Sequence, residues 1–165
     1  MAFEDTSGRN VLSHYGPRSN QDRTYGGVYG TKDQTKIAEW VIDYTDRPLA
    51  ESTYELATKI PANARIVTAK AEIIAGFTST SGTTTLSVGL GFPTNTDDPD
   101  GLLAAAELSA AAVQVVGDII DGAGAFVGAT IGSEAGSLTF TSTVDDLLTG
   151  KMRVLVEYME ASVYA

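Results

Sequence analysis

From residue 67 to residue 77 every second side chain is small or apolar, namely Val67, Ala69, Ala71, Ile73, Ala75 and Phe77, while Thr68, Lys70 and Glu72 lie between them. A period of two is that of a β-strand and cannot be laid on one face of a helix, so this stretch reads as a strand with one dry and one wet face. The same alternation recurs along the chain. Ala38, Trp40, Ile42 and Tyr44 share a face opposite Glu39 and Asp43, and Tyr54, Leu56 and Ile60 oppose Glu55 and Lys59. Thr84, Leu86, Val88, Leu90 and Phe92 oppose Thr85, Ser87, Gly89 and Gly91, Leu138 and Phe140 point inward from 137–143, and Met152, Val154, Val156 and Tyr158 oppose Arg153 and Glu157.

Turn formers separate these runs: Asp46 to Pro48, Pro61 to Asn63, the Ser/Thr/Gly run 78–83 and the loop 93–100. The polar run 78–83 joins two long strands and predicts a hairpin. Six to eight strands with almost no helix predict an all-β fold, an antiparallel β-sandwich or jelly-roll-like domain with one short helix and an extended N-terminal arm. The helix is expected over 101–108, where Leu and Ala concentrate, and a single helical turn over 143–150, closed by Gly150. Residues 110–131 mix Ala, Val and Ile with Gly117, Gly122, Gly124 and Gly128 and read as short strands near 112–116 and 125–131.

A chain of 165 residues supports one core, which falls within residues 37–165. Residues 1–36 have few aliphatics and a cluster of Gly and Tyr, too little to build a core, and read as an arm that orders against a neighbour. Charge divides the same way. The arm carries a net of plus one and residues 37–165 a net of minus eleven, with eighty residues between Lys70 and Lys151 holding no Lys or Arg. Such acidity disfavours nucleic acid as a partner, since phosphate binding depends on cations. It fits either a solubilising surface or a basic partner.

No apolar run approaches the roughly 20 residues of a membrane span, and the N-terminus lacks the pattern of a secretion signal, so no membrane partner is expected and synthesis and assembly in a cytoplasm fit best. With no cysteine and a single histidine, His14, the usual nucleophile, base and zinc ligands are missing, so no catalytic residue, metal ligand, cofactor or small-molecule substrate is assigned. The nearest metal motif places Asp98, Asp100 and Glu107 at calcium-loop positions, but Thr96 replaces the first carboxylate and Pro99 stiffens the loop. An acidic turn capping the helix over 101–108 is the preferred reading, with Asp100 near its positive end.

Two stretches carry a resemblance. Residues Ile60 to Val67, leading into the long strand and its Thr-rich successor, and the closing Leu148 to Tyr158 resemble those of tailed-bacteriophage capsid decoration (cement) proteins. The resemblance implies a homotrimer on the outer capsid surface of the virion, bridging capsomers of the major capsid protein and stabilising the head. The alternative is a head-fibre or tail-associated receptor- or glycan-binding module; a glycosidase comes third, since paired carboxylates leave no local spacing. Composition adds the partner-binding candidates of the arm, Tyr15, Arg18, Arg23, Tyr25 and Tyr29, the aromatic and Arg types that interfaces favour.

Overall fold

A computed structural model describes residues 35–46, 52–81, 83–107 and 111–160, together with strand segments at 3–4, 11–15 and 27–30. These last are β1 (Phe3–Glu4), β2 (Val11–Tyr15) and β3 (Gly27–Gly30), paired antiparallel in a small sheet of order β1-β2-β3. The domain that follows is built on β4 (Lys36–Asp43), β5 (Ser52–Ile60), β6 (Arg65–Ser79), β7 (Thr85–Gly91), β8 (Asp98–Glu107), β9 (Ile119–Asp121), β10 (Gly136–Ser142) and β11 (Leu147–Met159). They form two four-stranded antiparallel sheets, β4-β11-β6-β9 and β5-β10-β7-β8, stacked as a β-sandwich.

The alternating apolar positions fill the space between the sheets. Ala38, Trp40 and Ile42, then Ala69, Ala71, Ile73 and Phe77, then Met152, Val154 and Val156 are buried from the first sheet, and Leu86, Val88, Leu90, Leu138 and Phe140 from the second. The rings of Phe77 and Phe140 meet with centroids 6.3 Å apart, so β6 and β10 touch across the core. Val67 departs from the expected face. Tyr158 pairs with Ile66 and Glu157 with Thr68, leaving Val67 as the extra residue of a bulge, so Ile66 points inward in its place.

Four expectations are corrected. Strands β6 and β7 do not form a hairpin; they lie in different sheets, β6 paired with β11 and β9 and β7 with β10 and β8, so that Phe77 and Leu86, Val88 and Leu90 share the core between the sheets. The helix expected over 101–108 does not form at 101–107, since 98–107 are β8 against β7, where Leu102 and Leu103 are buried and pairing overrides the helix preference of Ala and Leu. Residues 143–150 are not a helical turn: a tight turn at 143–146 leads into β11, in which Gly150 takes φ 139° and lies under the Phe77 ring, where a Cβ would come within 2.0 Å. Between 110 and 131 the regular elements are a short helix, α1 (Ala111–Gln114), and β9, in place of strands at 112–116 and 125–131.

The glycines of that segment explain its form. Gly122 N–H donates to the Ala69 carbonyl (2.7 Å), Gly124 N–H to Leu102 (3.1 Å) and Phe126 N–H to Gly101 (2.8 Å), so the backbone steps from the edge of one sheet to the edge of the other. A side chain at Gly124 would collide with the Gly101 backbone. Side chains close the opposite flank. Trp40 Nε1–H donates to the Ala57 carbonyl at 2.9 Å, and the Lys59 ammonium caps the Glu39 carbonyl while lying 5.1 Å from the Trp40 ring centroid. The edge strands β4 and β5 are thereby laced to each other, which protects them from pairing with a foreign strand.

Candidate interaction surfaces

Of the arm candidates, Tyr15 ends β2 opposite Gly27, and Tyr29 lies in β3 opposite Ser13. Arg18, Arg23 and Tyr25 lie outside the described residues. Strand pairing therefore brings the backbones of Tyr15 and Tyr29 into one small sheet.

The domain offers two broad surfaces, the outer faces of its sheets. On β4-β11-β6-β9 the register builds transverse rows. Arg153 is paired with Val41 on one side and Glu72 on the other, and Glu72 with Ile119; the next row runs Glu39, Leu155, Lys70 and Asp121. Opposite charges thus face each other. Arg153 Nε donates to Glu72 Oε2 at 3.0 Å with Nη2 on the same oxygen, and its other arm reaches Glu39 at 4.0 Å. Lys70 pairs with Asp121 at 3.5 Å and Lys151 with Asp43 at 3.3 Å. These pairs are largely solvated, and they set charge pattern more than stability. Among them stand aliphatics open to water: Ile37 (63% exposed), Val41 (46%), Ile119 (62%) and Ile74. Ile37 and Val41 were legible as breaks on the polar side of the first strand's alternation.

The outer face of β5-β10-β7-β8 has different chemistry. Its cross-strand partners are hydroxyls and glycines: Thr53 with Thr141 (2.9 Å), Thr58 with Ser137 (2.6 Å), and Thr139 opposite Gly89. Much of it is covered. The register of β8 slips between Val88 and Leu90, and the backbone of Asp98 and Pro99 passes over Gly89, where a Cβ would lie 1.7 Å from the Asp98 carbonyl. Ser87, Ser137 and Thr139 are buried on this sheet.

Among the described residues four carboxylates are displaced from their usual range. Burial, with the Asp100 carboxyl hydrogen-bonded beside it, pushes the Asp98 carboxyl above the usual range. Glu134 is held low by the Thr94 hydroxyl, then by the N–H groups of Thr94 and Asn95, and Asp145 by the Thr80 hydroxyl, then the Asp146 N–H. The Thr45 N–H and hydroxyl, with Lys151, lower Asp43. Three of these acids tie loops down at the ends of the sandwich. Among the described residues no group of three or more His, Cys, Asp or Glu is placed to hold a metal ion. Asp98 and Asp100 belong to a paired strand, so neither the calcium-loop geometry nor the helix-capping turn forms there. Trp40, 3% exposed, is a core anchor and is unavailable for stacking on a sugar.

No protein-family model matches the sequence, and no curated protein matches it. Solved structures do. A chain of the cyanophage Pam1 capsid asymmetric unit superimposes with a TM-score of 0.60 at 16% identity, covering 88% of this chain and 98% of that one. A chain in the capsid of Ralstonia phage GP4 gives 0.57 at 20% identity over 78% and 86%. One in the acidic stable capsid of Helicobacter pylori bacteriophage KHP30 gives 0.54 at 16% identity over 78% and 89%. At such identities the likeness is one of fold.

Proposed function

We propose that this chain is a structural component of a bacteriophage capsid and, within that role, a decoration protein that seats on the outer surface of the head. The observation that carries the reading is that three phage-capsid chains share its sandwich over 86% to 98% of their own lengths. The chemistry agrees with a binding role: ion-paired sheet faces, and loop carboxylates engaged by hydroxyls and N–H groups.

The mechanism is one of linkage. A protein that binds the assembled lattice better than its free subunits stabilises the lattice by that difference in affinity. The arm, with Tyr15, Arg18, Arg23, Tyr25 and Tyr29, is the segment proposed to grip the major capsid protein, and a homotrimer would engage several arms at once, raising avidity without new contacts. Removal of residues 1–30 is expected to leave the sandwich folded by circular dichroism and to abolish co-sedimentation with purified heads. Undiminished co-sedimentation of the truncated chain would overturn the assignment of the arm.

A further inference from the structure

Four large aliphatic side chains, Ile37, Val41, Ile74 and Ile119, project into water from the outer face of β4-β11-β6-β9. Single exposed aliphatics are ordinary, but their arrangement here is not scattered. Leu155 is half-buried and in register with Glu39, so Ile37 and Val41 are its diagonal neighbours, about 7–8 Å away and within side-chain reach. Ile37, Val41 and Leu155 therefore stand around Glu39 on the β4–β11 side of the face, three apolar side chains flanking one carboxylate.

Charge indicates what can cover it. The three cations and five carboxylates of this face, Glu157 included, leave a net of minus two, whereas the rest of residues 37–165 carries minus nine. Two copies of so acidic a domain repel each other over most approaches. This face is nearly balanced, and its charges alternate in rows, so it can meet another copy without facing like charge across the contact. Four strands about 4.8 Å apart and eight residues at about 3.3 Å give the face roughly 500 Å². Two copies would then bury about the 1,000 Å² that a specific contact requires.

We infer that this face, centred on Ile37, Val41 and Leu155, is where copies of the chain meet. A cluster placed beside a symmetry axis serves two copies or three alike. The inference deepens the capsid reading and rests on it only for the expectation that copies associate; attachment to a shell is not needed for the contact.

The test uses the full chain in solution, without capsids. The wild type should sediment as a closed oligomer, and Ile37→Asp with Val41→Asp should sediment as a monomer that keeps the β-sheet signal of the folded sandwich by circular dichroism, since both side chains face water in the single chain. Because the chain has no cysteine, a single introduced one reports proximity. Ile37→Cys should cross-link between copies under mild oxidation, and Thr141→Cys on the other sheet should not. A monomeric wild type at tens of micromolar, an oligomer that survives the double substitution, or cross-linking no faster at Ile37→Cys than at Thr141→Cys would each overturn the inference. A monomeric wild type whose capsid binding is lost with the double substitution would also overturn it, assigning the face to the shell and leaving the capsid reading intact.

Discussion

The two outer faces of the sandwich come from strands of the same period and end in opposite conditions. On β4-β11-β6-β9 the outward positions are long charged and branched apolar side chains, paired in rows and open to solvent. On β10 and β7 of the other sheet they are Ser, Thr and Gly, short enough for the chain itself to lie across them at Asp98 and Pro99, and the carboxylate Glu55 stands beside them on β5. Outward does not mean exposed. The size of the outward side chain decides whether backbone can pack on that face or whether it stays free for another molecule.

The difference can be broken most severely at Gly89. Gly89→Val on the covered face forces two methyl groups into the Asp98 backbone and is expected to cost ~3 kcal/mol of unfolding free energy. Ile119→Ala, at the far edge of the open face from Val41, should change stability by less than about 0.5 kcal/mol, as surface substitutions do. Urea denaturation of the two variants checks the pair, and equal losses would refute the distinction.

A smaller effect separates the faces by polarity. Thr139 Oγ1 is buried with no hydrogen-bond partner among the described residues. Thr139→Val removes an unmade hydrogen bond at constant shape and should stabilise by about 1 kcal/mol. Thr68→Val at a comparable register on the open face should be near neutral. Thermal unfolding of both variants measures the difference.

The smallest expected effect is a pH dependence at the margin of the covered face. The folded-state value of Asp98 is raised, by burial first and then by the Asp100 carboxyl, so its contribution is fully present below the unfolded value and is lost as pH rises through the folded one. Asp98→Asn should therefore melt higher than the wild type at neutral pH, with the gap closing as pH falls below the ordinary carboxylate range. A gap that widens on acidification would reverse the sign and the account.

The strand alternation made most of the sandwich legible, since Ala38, Trp40, Ile42, Ile73, Phe77, Leu90, Phe140, Val154 and Val156 are buried as their spacing requires. The misread segments are those where local chemistry and long-range pairing disagree. Leu102 to Glu107 favour a helix in isolation, yet they complete a sheet edge beside β7 that no window of neighbouring residues can reveal. The glycines between 117 and 128 looked like broken strands because the contacts that need them, such as Gly124 against Gly101, lie far apart in the chain.

For the candidate surfaces the division is similar. The sequence alone determined that the domain is acidic, that its strands have one apolar face, and that Ile37 and Val41 stand on the side opposite it, because composition and a period of two are local properties. Which sheet each strand joins, which wet face is roofed, and which charges meet across strands came from pairing partners tens of residues apart. Arg153 illustrates the point: in the chain it is one cation in an acidic domain, whereas in the fold it sits between Glu39 and Glu72 and balances the face on which copies are proposed to meet.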